Sequence, residues 1–278
     1  MRILKIRTID SPELQPYRTL RRAAEHIKQG IFVAEGERVV RRLLKSRIEI
    51  VSLLLADEWM EELQPDLAQV SSDGVTAWVA PKTSLESIVG FHLHQGVMAI
   101  GRIPQSPELE DLVCSLSKPG LLVALDGLTN ADNIGVVVRN CVAFGVDALV
   151  VPENSGSPYL RRAVRMSMGT VFKLPVVQVD KLPVALNQLK DRFGVRAIAA
   201  DPKPDACRLE DANFHGNVCI IFGSEGWGIS EEVLGACSER VRIPITQGTD
   251  SLNVATASGI LLFEAQRSRR DSLSQGSD

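Results

Sequence analysis

The chain has 278 residues, 45% of them hydrophobic, which is enough apolar material for the cores of two domains. Its net charge is −3, no apolar run is long enough to span a membrane, and the start, MRILKIRTIDSPEL, has no apolar centre of signal-peptide type. Five scattered cysteines without a C-x-x-C pair and four histidines without helical metal spacing add the expectation of a cytoplasmic protein with reduced thiols and no zinc or iron site.

Charge is unevenly spread. Residues 1–50 carry twelve Lys or Arg against six Asp or Glu, with Arg38, Arg41 and Arg42 among them. Such a stretch is either a face for a polyanion or a solvated helical surface. Over the first hundred residues helix and strand alternate. Residues 16–30 read as a helix stopped by Gly30, 31–36 as a short buried strand, 37–46 as a helix and 48–56 as a strand. The pattern then predicts a helix over 57–71, a strand over 75–80, a helical turn over 84–90 and a strand over 96–104. This makes a small α/β domain over 1–103. A Pro-containing acidic linker with a short helix follows over 104–118.

From Gly120 the strands become near-continuous apolar runs, as in a buried parallel sheet: 121–127, 147–153, 172–179, 195–201, 217–223 and a short 241–245. Helical segments over 133–145, 159–169, 182–194 and 229–237 separate most of them. The reading is a doubly wound α/β domain over 119–270 with a mainly parallel sheet, then a disordered tail over 271–278.

Three polar clusters fall at strand ends, where open α/β sheets bind ligands. In the first, Asp126, Asn130 and Asn133 follow a strand and Arg139 projects from the next helix. In the second, Gly223, Gly226 and Gly228 open the backbone around Glu225. That loop has neither the Walker Lys-Ser/Thr nor the dinucleotide glycine spacing, so alone it fits a tight turn as well as a ligand loop. In the third, Ser251-Leu252-Asn253 stands at the mouth of a helix of small residues, where another backbone can come close. Each cluster alone can be a cap or a packing choice. Three of them at the strand ends of one domain point to a site.

The patterns N-x-G-x-x-x-R-N (133–140), F-G-x-E-G-x-G-I-S (222–230) and I-P-x-x-x-G-x-x-S-L-N-V-A (243–255) resemble, in order and spacing, the three motifs of the SpoU (TrmH-type) RNA ribose methyltransferases of the SPOUT superfamily. The resemblance covers about 119–268, including the Arg-rich stretch SPYLRRAVRMSMGTVFKLPV. A looser one, through FVAEGERVVRRLL and FHLHQGVMAI, links the N-terminal half to the substrate-binding domain that often precedes the catalytic one. Departures are small: Cys141 and Thr170 stand where the family commonly has Ala.

The resemblance implies a deep trefoil knot in the C-terminal domain and S-adenosylmethionine held there, with main-chain contacts at Gly223, Ile243 and Leu252. It also implies a homodimer through the knotted region, with Val254, Ala257 and Gly259 as interface candidates. The implied reaction places a methyl group on a ribose 2′-hydroxyl without a metal. Arg139 is then the central catalytic residue, with Asn133, Glu225, Ser251 and Asn253 around it. The resemblance implies Arg139 as general base, helped by a substrate phosphate; because an arginine rarely gives up its proton, the safer role is to bind the phosphate beside the target ribose and stabilise the developing oxyanion, oriented by Glu225. Arg161, Arg162, Arg165 and Lys173, with Arg38, Arg41 and Arg42, are the candidate phosphate contacts on RNA. Ribosomal RNA is the expected substrate, with tRNA the alternative. A non-catalytic RNA-binding or ribosome-assembly factor is the reading from another class.

Overall fold

A computed structural model describes residues 1–6, 8–70, 74–116, 119–246 and 251–275. The chain divides into two units, Met1–Gln105 with Pro158–Lys173, and Ser106–Ser157 with Leu174–Asp278. The segment 158–173, which chain order alone assigns to the second domain, therefore belongs with the first.

The first unit is a five-stranded mixed sheet. Its strands are β1 (Arg2–Lys5), β2 (Ile31–Glu35), β3 (Ile50–Ala56), β4 (Thr76–Ala80) and β5 (Val97–Arg102), in the order β1-β4-β3-β5-β2. β5 runs antiparallel to both of its neighbours. β1 was not expected: it is a short edge strand, mostly exposed, and lacks the apolar run that marks its partners. The helices are α1 (Gln15–Arg18), α2 (Ala23–Lys28), α3 (Glu37–Leu44), α4 (Trp59–Leu67) and α5 (Lys82–Val89). One helix was expected over 16–30, and two are found. Thr19 stands at the break, outside helical geometry, with its hydroxyl on the Gln15 carbonyl at 3.0 Å and on the buried His26 ring at 3.0 Å. Phe32, on β2, lies between Tyr159 and Phe172 of the inserted segment, with centroids 5.5 and 5.4 Å away. Gly101 makes room for that ring, since a Cβ there would stand 2.4 Å from it.

The second unit is a seven-stranded sheet, parallel throughout, with the order β10-β12-β9-β11-β6-β7-β8. The strands are β6 (Leu121–Asp126), β7 (Ala148–Pro152), β8 (Val176–Val179), β9 (Arg196–Ala200), β10 (Cys207–Arg208), β11 (Val218–Gly223) and β12 (Glu239–Arg242). The helices in chain order are α6 (Leu109–Ser115), α7 (Ala131–Ala143), α8 (Arg161–Met166, in the inserted segment of the first unit), α9 (Leu182–Phe193), α10 (Glu231–Ala236) and α11 (Val254–Gln275). Leu109, Leu186, Leu189 and Val233 of α6, α9 and α10 pack on Leu122, Val150 and Ile221 on one sheet face. Alternate side chains such as Val123 and Phe222 turn to the other face, where α7 and α11 pair and α11 reaches β11. This is the doubly wound arrangement. β8 starts at Val176 instead of 172 because Thr170–Lys173 forms a 3-10 turn within the inserted segment. The tail expected to be disordered from 271 is helical to Gln275, since α11 continues without a breaking residue; residues 276–278 lie outside the described ones. No described helix is long and apolar enough to cross a membrane.

Candidate active site

The sheet order changes direction between β6 and β11. From β6 the chain moves outward through β7 and β8, then returns to the opposite side of β11. Gly223 and Asp126 pair in register at the carboxyl ends of these two strands. Such a switch point leaves a crevice for a ligand.

Each cluster is built by local backbone chemistry. Asn130 caps α7, its side-chain oxygen accepting the amides of Asp132 (2.9 Å) and Asn133 (3.3 Å). After β11, Ser224 and Gly228 exchange two backbone hydrogen bonds of 2.9 Å, closing a hairpin that presents Glu225. Gly223 has to be glycine, because a Cβ there would lie 2.3 Å from the Gly228 carbonyl carbon and oxygen. Asn253 has two roles. Its oxygen accepts the Ala255 amide at 2.9 Å, capping α11, while its Nδ2 donates to Asn133 Oδ1 and Glu225 Oε1, both at 3.2 Å. Asn133 Nδ2 donates to the same Glu225 oxygen. The three motifs therefore close into a triangle of Asn133, Glu225 and Asn253.

A cavity of about 550 Å³ lies beside that triangle. Gly223, Ile243 and Leu252, the expected cofactor contacts, line it, as do Glu225, Ser251 and Asn253. Arg139 stands apart. It is exposed on α7, and its side chain makes no hydrogen bond or ion pair among the described residues. The expected orienting contact from Glu225 to Arg139 is not made; the Glu225 carboxylate takes the two amides instead. The polar loop 247–250 lies outside the described residues. No group of His, Cys, Asp or Glu suited to a metal occurs among the described residues.

A profile of the SpoU rRNA Methylase family matches residues 120–263. The chain belongs to the SpoU rRNA methylase family. A second profile, RNA 2′-O ribose methyltransferase substrate binding, matches residues 33–107. The chain is 35% identical over 266 residues to an uncharacterized tRNA/rRNA methyltransferase of Mycobacterium bovis, covering 93% of this chain and 90% of that one. It is 31% identical over 248 residues to the 23S rRNA (guanosine-2′-O-)-methyltransferase RlmB of Acinetobacter baylyi, covering 88% and 95%. Its fold is similar to that of the AdoMet-bound rRNA methyltransferase from Sinorhizobium meliloti, with a TM-score of 0.81, 24% identity and coverage of 95% and 98%. The protein is thus an RNA 2′-O-ribose methyltransferase of SpoU type.

This SpoU site also has supports to which sequence reading gave no role of their own. Asp126 is buried, accepting the Ser230 amide at 2.7 Å and the Asn154 side chain at 3.2 Å, so it ties two loops to the end of β6. Asn140 donates to the Ala255 carbonyl and to Ser258, both at 2.9 Å, locking α7 to α11. Asp201 and Lys203, just after β9, add a third strand end to the cavity wall, beside those of β11 and β12. The Asp-Pro that follows β9 was the available signal for it.

The basic residues of the first unit separate into two groups. Arg38, Arg42, Arg162, Arg165 and Lys173 are exposed, and Arg42 donates to the Met168 carbonyl at 2.6 Å. Arg38 and Arg165 line one pocket of about 270 Å³ with His94 and Gln95. Arg165 also lies 3.7 Å from Glu35 while staying largely in solvent. The less exposed Arg41 pairs with Glu37 (2.9 Å) and the buried Asp66, and Arg161 with Glu35 (3.1 Å) while its guanidinium lies 5.1 Å from the Phe91 ring centre. These two arginines hold the unit together.

Proposed function

We propose that this protein methylates a ribose 2′-hydroxyl in ribosomal RNA with S-adenosylmethionine as donor, acting as a homodimer in the cytoplasm. The observation that carries the reading is the Asn133–Glu225–Asn253 triangle, which joins the loops after β6 and β11 beside a cavity walled by the ends of β9, β11 and β12. The cavity suits the donor by its size and by its lining, where Gly223, Ile243 and Leu252 stand with apolar residues such as Leu234 and Leu261. When bound, S-adenosylmethionine supplies a methyl group already activated on a sulfonium.

The protein's own task is alignment and exclusion of water. Asn133, Glu225 and Asn253 hold one another and so fix the mouth of the cavity. Ser251, exposed beside them, is placed to bind the incoming hydroxyl. Arg139, without an internal partner among the described residues, is free to take the phosphate next to the target ribose and to stabilise negative charge as the hydroxyl loses its proton. Exposed Arg38, Arg42, Arg162, Arg165 and Lys173 would hold the RNA backbone. A trefoil knot threaded by α11 and a dimer along that helix belong to the same reading. They are supported by the small residues Ala255, Ser258 and Gly259 against Asn140 and by Ile260 and Phe263, which are 38% and 56% exposed. The relative named for 23S rRNA, matched through both units, favours ribosomal RNA.

The test is transfer of labelled methyl from S-adenosylmethionine to total RNA from a strain lacking the protein, with the modified ribose mapped. Label at one nucleotide of ribosomal RNA is the expected result. Label confined to tRNA would replace the substrate. No label in any RNA or ribosomal particle, with the donor still bound, would leave a binding or assembly factor.

A further inference from the structure

We infer that Trp227 is the platform on which a base of the RNA next to the target ribose stacks. The inference rests on the proposed RNA methylation and adds a substrate-recognition residue to it. Trp227 is 95% exposed, far more than any other large apolar side chain among the described residues. The other two tryptophans are anchored. Trp59 donates its indole N–H to the Gln95 carbonyl, and Trp59 and Trp78 both pack on the core of the first unit. The Trp227 indole has no hydrogen-bond partner among the described residues. Leaving so large an apolar ring in water forgoes burial that a tryptophan usually obtains.

The backbone beneath the ring is fixed. The Ser224–Gly228 hairpin is closed by its two backbone hydrogen bonds, and Ser224 Oγ accepts the Trp227 amide at 3.2 Å. A rigid turn thus offers the indole to solvent two residues beyond Glu225, at the rim of the cavity. The partner this suits is flat and arrives from outside. Unstacked bases fit that description, because every base has a π-face and aromatic side chains are a general means of holding them. At 95% exposure the ring is open to a partner arriving from solvent, and donor titration separates this role from one toward the donor.

The experiment compares wild type, Trp227→Phe and Trp227→Ala, with labelled S-adenosylmethionine and total RNA from cells lacking the protein. At subsaturating RNA, Trp227→Ala is expected to lose about tenfold in transfer through a raised apparent KM for RNA, while Trp227→Phe keeps most of it. Donor affinity by calorimetric titration stays within about twofold in both variants. The same RNA quenches indole emission in wild type and not in Trp227→Phe. Unchanged RNA dependence in Trp227→Ala overturns the inference. So does a defect confined to donor affinity, or one explained by a changed sedimenting mass, which would make the ring a donor cover or a contact between copies. Should wild type methylate no RNA, the functional reading fails on its own, and quenching by that RNA still decides whether Trp227 holds bases.

Discussion

Asn253 donates a hydrogen bond to the side-chain oxygen of Asn133, a residue 120 positions earlier, at 3.2 Å. The same amide reaches Glu225, so one side chain at the start of α11 joins both other motifs while its oxygen caps the helix. Cap and site are a single residue. Any change that disturbs one disturbs the other.

Asn253→Ala is therefore expected to lower methyl transfer by about two orders of magnitude and to weaken α11 by about 1 kcal/mol through loss of the cap. Glu225→Gln keeps the shape but not the charge that accepts both amides, and should cost about tenfold in kcat. Arg139→Ala, which breaks no internal contact among the described residues, should lose about a hundredfold in transfer with donor affinity unchanged. Single-turnover transfer alongside donor titration separates these cases. Equal activity of Arg139→Ala and wild type would remove Arg139 from the mechanism.

At Gly223 the limit is space. A methyl group added there meets the Gly228 carbonyl at 2.3 Å, and backbone cannot swing aside as a side-chain tip can. Gly223→Ala should open the Ser224–Gly228 hairpin, weaken donor binding at least about tenfold and lower Tm by on the order of 5 °C. Calorimetric titration and a thermal scan check both effects; retention of full donor affinity would show that the hairpin is not what shapes the cavity.

Asn140 tests the helix pair behind the site. Its amide satisfies the Ala255 carbonyl and the fully buried Ser258. Asn140→Ala removes both bonds and should cost about 1–3 kcal/mol in denaturant unfolding. Asn140→Asp, which can no longer donate to that carbonyl, should be no better. A stability loss in Asn140→Ala below about 0.5 kcal/mol would mean that the helices are held by apolar packing alone.

Asp66 gives a pH signature. Burial opposes its charge, yet hydrogen bonds and charge from Lys45 and Arg41 hold its carboxyl below the usual carboxylate range. With the folded-state value below the unfolded one, the stabilisation is present above the unfolded value of about 3.9 and disappears as the pH falls through the folded value. Asp66→Asn should lower Tm by on the order of 3 °C at pH 7, and the gap should close as the pH falls below the unfolded value and through the folded one. A gap of constant size from pH 7 to acid would exclude the ion pair as its source. Arg41→Ala should share this stability defect while leaving the RNA dependence of transfer close to wild type.

The sheet of the second unit was legible because a strand buried on both faces reads as an unbroken apolar run, and β6, β7, β9 and β11 all do. The triangle was legible only as three separate motifs, since nothing local in Asn133 or Asn253 states that their side chains meet. β1 and β10 were missed because short edge strands carry little hydrophobic signal. The division of the basic residues was out of reach for another reason. Arg41 and Arg42 are neighbours in sequence, but their environments differ through Asp66 and Met168, which come from distant parts of the chain.

The placement of residues 158–173 in the first unit means that the chain passes between the units three times, at 105/106, 157/158 and 173/174. The RNA-binding half is therefore not a detachable cassette. A fragment ending at residue 105 would carry Phe32 without the Tyr159 and Phe172 rings that flank it, and would lack α8 and its arginines. Exchanging specificity between relatives by a single splice would give mismatched halves. A working chimera has to take the insert together with the N-terminal half.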